Sequence, residues 1–159
     1  MGDFSRRERG GLRRERRVVR AVVFCVMHEN QISLQIRKAA YEIHTDLGPG
    51  LLESVYETAL AHELQERGLR VVRQVPMPMV YKGIHMETGY RLDLVVERKV
   101  IVELKSIDAL QEVHFKQLMT YLKLSGLKLG LLINFNVDRL KDHMHRRVNG
   151  LENDPAFPA

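Results

Sequence analysis

With 159 residues, 45% hydrophobic and 28% charged, the chain can bury the core of one domain. No apolar run is long enough to span a bilayer, the best candidate (VVRAVVFCVM at 18–27) being short and interrupted by Arg20, and the one cysteine, Cys25, excludes an internal disulfide framework and points to a reducing cytoplasm. The formal charge of +5 is confined to residues 1–26, where eight arginines face Asp3, Glu8 and Glu15; the remainder carries seventeen basic and seventeen acidic residues, so no broad phosphate-binding field is evident over the domain.

The arginine-rich stretch 1–26 reads as a basic, disordered, solvated extension; such an arm can also add salt-sensitive affinity for phosphates. The domain is expected over 27–150, with 151–159 as a flexible tail. From Gln31 to Ile43 the pattern places Ile32, Ile36, Ala39, Ala40 and Ile43 on one helical face. DLGPG at 46–50 breaks that helix, and a second is expected over roughly 51–67, with Leu52, Val55, Tyr56, Ala59, Leu60 and Leu64 as its apolar stripe and Gly68 just past its end. The period then changes to two. RVVRQV at 70–75 is a strand, PMPMVYKG belongs at an edge or in an extended connection, and Lys82-Gly83 suggests a turn. Tyr90–Val96 and Val100–Lys105 are strands joined by Glu97-Arg98-Lys99. A helix is expected over 109–125, followed by LGLLINFN at 129–136 as a strand buried on both faces, and then a short helix from Asp138. This order gives a mixed α/β sheet flanked by helices, α-β-β-β-α-β, with the strands on either side of the 109–125 helix as parallel neighbours.

The hairpin YRLDLVVERKVIVELK at 90–105 carries charges inside its apolar runs. Side chains alternate along a strand, so Leu92, Leu94 and Val96 share one face, and Arg91, Asp93 and Val95 the other. In the next strand Ile101, Glu103 and Lys105 share one face. With Val96 opposite Val100, Asp93 falls opposite Glu103, and directly opposed side chains have Cβ atoms about 4.5–5.5 Å apart. Three arrangements relieve the repulsion: a shared proton, the ammonium of Lys105, or a divalent ion between the carboxylates. A solvated charged face is the plain alternative, and the Leu and Val flanking both acids weigh against it.

Glu53 lies at the edge of the second helix's stripe. Its spacing fits equally a first-turn acid favoured by the helix dipole and a carboxylate turned toward the sheet. Gln117 and Tyr121 form an i, i+4 pair on the 109–125 helix, as ordinary amphipathic packing would also produce. His143 and His145 read as solvated positions in a polar C-terminal helix, and Cys25 has no evident base partner.

Asp93, then Glu103-Leu104-Lys105 ten residues later, resembles the D…(D/E)xK core of the PD-(D/E)xK nuclease superfamily. GLLESVY at 50–56 resembles the signature of its GxxExxY branch, and QLMTY at 117–121 is similar to the QxxxY motif of recombination-type nucleases. The likeness spans about Ile32 to Val148 and leaves out the basic arm; Arg91-Leu92 stand where the superfamily often has proline before the aspartate. The resemblance implies a restriction-endonuclease-like core and a Mg²⁺-dependent hydrolase, with Mn²⁺ as a substitute, cleaving phosphodiester bonds of DNA in endo or exo mode. It implies that Asp93, Glu103 and the Leu104 carbonyl hold the metal, that Lys105 orients or activates the attacking water, and that Glu53 completes the site. Gln117 and Tyr121 would steady substrate or the groups around the site. A second reading keeps the fold without catalysis, as a module binding nucleic acid or a protein partner; the neutral domain and an aromatic content of only 6% favour it.

Overall fold

The computed structural model describes residues 27–86 and 90–152; the expected arm at 1–26 and most of the expected tail lie outside the described residues. Helix α1 spans Glu29–Leu47, and its N-terminus is tied by His28 and Gln31, whose side chains each accept from the other's backbone end of the first turn. The five apolar residues expected to share a face (Ile32, Ile36, Ala39, Ala40, Ile43) are all buried. Gly48 and Gly50, with φ of 69° and 92°, turn the chain between the helices in a backbone region that side-chain-bearing residues avoid.

Helix α2 spans Glu53–Glu66 and buries Tyr56, Glu57, Leu60, Ala61 and Leu64. The expected stripe is therefore rotated. Leu52 precedes the helix and is 75% exposed, and Val55 is 41% exposed. The line Tyr56, Leu60 and Leu64 is buried as expected, but the residue that flanks it on the buried side is the acid Glu57 and not Val55.

The strands are β1 Val71–Pro76, β2 Met79–Tyr81, β3 Ile84–Met86, β4 Arg91–Val96, β5 Val100–Lys105, β6 Leu129–Asn134 and β7 Met144–Val148. β1, β4, β5, β6 and β7 form one five-stranded sheet in that order, while β2 and β3 form a separate hairpin across Lys82-Gly83. The β1–β4, β4–β5 and β6–β7 pairs are antiparallel; β5 and β6 are parallel, with α3 (Glu112–Ser125) between them in sequence. This is the expected mixed sheet, and β6 is buried along its whole length. The C-terminal segment differs from expectation. A single 3₁₀ turn at Leu140–His143 leads into β7 rather than a helix, so His145 lies on a strand. β7 gives the outer edge of β6 a partner for its backbone groups, which an amphipathic helix would have left open.

The sheet separates two cores. α1 and α2 cover one face with Leu94, Val96, Val100, Val102, Leu104, Leu129, Leu131 and Ile133 beneath them. α3 covers the other, where Leu118, Tyr121 and Leu122 meet Leu92, Ile101 and Leu132. Gly130 permits that helix to approach closely: a Cβ there would lie 2.7 Å from Leu118 Cδ1.

Candidate active site

Beginning at the turn, β4 and β5 pair in the expected register: Val96 with Val100, Val95 with Ile101, Leu94 with Val102. The ladder then stops. The Leu104 N–H donates to Asp93 Oδ2 at 2.8 Å instead of continuing the backbone pairing. Asp93 and Glu103 are thus not a directly opposed pair within the ladder, as a regular hairpin would make them. They stand where the two strands part. The strict alternation of β4 also breaks here: Leu94 and Val96 face α1 and α2, whereas Leu92 packs with α3. On the other flank Gln74 of β1 has φ 49° and makes no pair with β4, although its neighbours Arg73 and Val75 do. A carboxylate that takes over a backbone donor, beside a kinked neighbouring strand, accounts for the flip.

Glu103 is only 3% exposed, in the middle of the sheet. Its Oε1 accepts from Lys105 Nζ at 2.9 Å, while its Oε2 is buried and has no hydrogen-bond partner among the described residues. Burial, reinforced by the charge of Asp93, pushes the Glu103 carboxyl up to about 7, with Lys105 opposing. Burial also raises Asp93, against the Leu104 N–H and Lys105, and raises Glu53. Lys105 Nζ further donates to the Leu104 carbonyl at 2.9 Å and lies 3.8 Å from Glu53 Oε1. Burial pulls its ammonium down, but Glu103, Glu53 and Asp93 together hold it above its ordinary value. One cation thus serves three acids, which leaves the cluster short of positive charge.

Glu53 reaches this cluster because the loop before it is fastened. The Tyr56 hydroxyl donates to Gly48 O at 2.6 Å and accepts from Leu51 N at 3.2 Å, and its ring stacks on Phe135 at 4.3 Å between centroids. Ser106 Oγ donates to Leu51 O at 2.6 Å, and the Ser106 backbone N–H opposes the rise of the Glu53 carboxyl. Both readings of Glu53 therefore meet: it is a first-turn acid of α2 and it faces Lys105.

Gln117 and Tyr121 do pair, with Gln117 Nε2 donating to the Tyr121 hydroxyl at 2.5 Å. Burial raises Tyr121, and the charges of Glu103, Lys105 and Asp93 act on it as well, which puts α3 within electrostatic reach of the carboxylates. His145 packs edge-on against Phe115 instead of standing in solvent, and burial, followed by the nearby Arg147 and His143, lowers it.

Three supporting residues escaped the sequence reading. Glu57, 5% exposed, accepts from Arg73 Nε at 2.8 Å and from Gln74 Nε2 at 2.7 Å, and the Gln74 side chain also opposes the rise of Asp93. An acid four residues after Glu53 was a visible signal; nothing local marks Gln74. Asn134, fully buried, accepts from Ile107 N at 3.1 Å and donates to Ile107 O at 2.7 Å, pinning the loop after Lys105. Its amide inside an otherwise apolar run was the signal for it.

The site can be tested for a metal. Among the described residues no cluster of three or more His, Cys, Asp and Glu side chains could by itself hold an ion. Two carboxylates and the Leu104 carbonyl nevertheless form an all-oxygen donor set, and the orphaned Glu103 Oε2 lacks the positive partner that its burial demands. That set suits a hard ion such as Mg²⁺, which keeps several of its own waters and binds through one or two carboxylates.

An αβ core with a mixed sheet, two carboxylates and a lysine at the parting of its central strands defines a restriction-endonuclease-like protein. A family model of the PD-(D/E)XK nuclease superfamily matches residues 30–148, and the chain belongs to that superfamily. Its members generally use divalent metal ions, and membership supports a nuclease-type function acting on nucleic acid. Neither the curated proteins nor the solved structures yielded a match. No helix among the described residues is long and apolar enough to cross a membrane.

Proposed function

We propose that this chain is a cytoplasmic, Mg²⁺- or Mn²⁺-dependent deoxyribonuclease of the GxxExxY branch. The observation that carries the proposal is the buried, unpartnered Glu103 Oε2 beside Asp93, with Lys105 on the other carboxylate oxygen. Asp93, Glu103 and the Leu104 carbonyl would hold the ion; the carbonyl has a second lone pair beyond the one that Lys105 engages. When bound, a divalent ion supplies an acidified water and positive charge at the phosphate.

The chain's own groups do the rest. Lys105 Nζ orients the attacking water and offsets the charge that builds on the phosphate oxygens as the water–phosphorus bond forms and the bond to the leaving oxygen breaks. Glu53, 3.8 Å from that ammonium, keeps it aimed and engages the site through water. Gln74 and Glu57 fix the rotamer of Asp93 from the side. Gln117 and Tyr121 border the site and steady the substrate. A non-catalytic, nucleic-acid- or protein-binding module is the second reading, favoured by the neutral charge of the chain after residue 26.

Two measurements separate the readings. Purified protein is incubated with plasmid, linear and single-stranded DNA and Mg²⁺ or Mn²⁺, beside Lys105→Ala. Cleavage is expected in the wild type and strongly reduced in the variant; cleavage that survives undiminished points to a contaminant and sinks the assignment. Calorimetry is expected to show metal binding that Asp93→Asn weakens. Absence of heat in the wild type, or heat unchanged in the variant, supports the non-catalytic module.

A further inference from the structure

Beyond the carboxylates, α3, Tyr90 and Met79 of the β2–β3 hairpin border an open pocket of about 390 Å³, within the range of roughly 300–1,000 Å³ usual for small-ligand sites. Its walls include Met79 from the hairpin, Tyr90 at the start of β4, and Val113, Gln117, Tyr121 and Leu124 from α3. Val113 is 58% exposed and Tyr90 and Leu124 are each 46% exposed, so apolar surface stands open at the rim. The Tyr90 ring meets Tyr121 edge-on at 6.1 Å between centroids. An aromatic ring with open surface, supported from one side by a second ring, is a ready stacking platform.

The polar groups are few and convergent. The Gln117 amide donates to Tyr121, while its carbonyl oxygen has no hydrogen bond to a described residue. The Thr120 hydroxyl donates to Lys116 O and keeps its lone pairs for a donor from a ligand. Lys116 stands at the mouth, its side chain 70% exposed and paired at 3.1 Å with that of Glu112, which is 80% exposed. An ion pair that exposed is worth little and yields readily to a phosphate. Tyr121 is the shared wall: it lines the cavity and feels the charges of Glu103, Lys105 and Asp93.

A flat aromatic ligand with a hydrogen-bonding edge, attached to an anion, fits this combination better than an aliphatic one. We propose that the cavity receives one unpaired nucleobase of the DNA strand whose phosphate lies at Asp93, Glu103 and Lys105. The base stacks on Tyr90, its edge meets Gln117 and Thr120, and the adjoining phosphate meets Lys116. A paired base is held in its own stack and cannot enter, so the cavity selects single-stranded or frayed DNA. This rests on the nuclease reading for the position of the phosphate.

The test is fluorescence anisotropy of the full chain, in EDTA and at fixed low salt. The probes are a labelled six-nucleotide oligothymidylate, an all-abasic strand of the same length, and a blunt duplex. The wild type is expected to prefer the oligothymidylate over both other probes by about tenfold, the size of one base–aromatic stack. Tyr90→Ala, and separately Leu124→Trp, which fills the rim from an exposed position, should abolish that preference, and Tyr90→Phe should keep it. Equal binding of the three probes by the wild type, or a preference untouched by both Tyr90→Ala and Leu124→Trp, overturns the proposal. Cleavage by the same wild-type preparation judges the nuclease reading separately. A Tyr90-dependent preference without cleavage retains the cavity and sinks only the catalysis; cleavage without the preference does the reverse.

Discussion

At the turn end of β4 and β5, Val96 pairs with Val100, Leu129 of β6 lies beside them, and all three are fully buried. Toward the other end, at Asp93 of β4 and Glu103 and Lys105 of β5, the same two strands hold two acids and a lysine, and the backbone ladder has given way to a side chain. One end maximises apolar contact and regular hydrogen bonding. The other leaves a buried oxygen without a partner among the described residues, and an orphaned carboxylate oxygen is expensive. The difference teaches that regular apolar packing and the charged cluster occupy opposite ends of one strand pair, as a division between stability and the proposed chemistry would require. Such a division can be broken from either side.

The largest effect is expected at the charged end. Lys105→Ala should lower cleavage about 10²–10³-fold, the usual loss when one stabilising cation or donor is removed from a transition state. Its folded content by circular dichroism should stay unchanged, because Glu103 can take up a proton once the ammonium is gone. The mirror substitution is Leu129→Ala at the dry end, which should cost about 2–5 kcal/mol in urea denaturation while leaving metal-binding heat intact in the folded protein. If Leu129→Ala abolishes that heat, or Lys105→Ala unfolds the chain, the two ends are not separable.

The acidity of Glu103 sharpens the same contrast. Its carboxyl is raised to about 7 by burial and then by Asp93. A group whose folded value lies above its unfolded one stabilises the fold fully below the unfolded value, and that contribution disappears as pH rises through the folded value. Metal-free protein in EDTA should therefore lose on the order of 2 kcal/mol between pH 5 and pH 8. Urea titrations at the two pH values check this, and Glu103→Gln should flatten the dependence. Divalent metal should restore the loss at pH 8, because an ion replaces the proton as partner of the carboxylate. A wild type as stable at pH 8 as at pH 5 in EDTA contradicts the picture of a buried, underpaired acid.

Tyr56 joins the two regimes, with its ring in the apolar core against Phe135 and its hydroxyl on the loop that delivers Glu53. Tyr56→Phe keeps the stack and removes the hydroxyl. The expected cost is about 1 kcal/mol of stability, in keeping with buried hydrogen bonds. Cleavage should fall several-fold through misplacement of Glu53, and loss of stability alone with full activity would show that the loop does not position that acid.

The parts that follow from period and local chemistry were readable in the sequence. The face of α1, the register of β4 with β5 near the turn, the parallel β5–β6 pair and the nearness of Glu103 to Lys105 rest on alternation or helical spacing, whereas spacing left Glu53 open and only the family resemblance brought it to Lys105. What escaped depends on side chains competing with the backbone. Asp93 takes the Leu104 N–H, Gln74 adopts a left-handed conformation beside it, and β4 changes face, none of which a strict two-residue alternation can express. In α2 hydropathy favoured Val55 over Glu57 beside the line Tyr56, Leu60 and Leu64, and the acid is buried because Arg73 and Gln74 meet its carboxylate, partners that no local pattern reveals. β7 was hidden because MHRRV carries three side chains with charge or protons to exchange on a strand that is only partly covered.

The smallest expected effect lies at the tip of the dry end and tests whether that end is optimised at all. Lys99 N donates to Val96 O at 3.0 Å, closing a turn in which Glu97 and Arg98 have φ of 52° and 57°. Neither residue is one that adopts this region at low cost; asparagine or glycine normally stands there. Glu97 has a local compensation, since its carboxylate accepts from Arg70 N at 2.5 Å, while the Arg98 side chain makes no hydrogen bond or ion pair with a described residue to accompany its strained backbone. Arg98→Gly should therefore raise stability by about 0.5–1 kcal/mol, the relief of left-handed strain less the added freedom of the unfolded chain. Cleavage should be unchanged, because the turn sits at the opposite end of the strands from Glu103. A stabilised variant with normal activity would confirm the turn as a tolerated strain with no part in the chemistry. A loss of activity would tie the tip to the charged end through the strands, and the division of labour between the two ends would have to be abandoned.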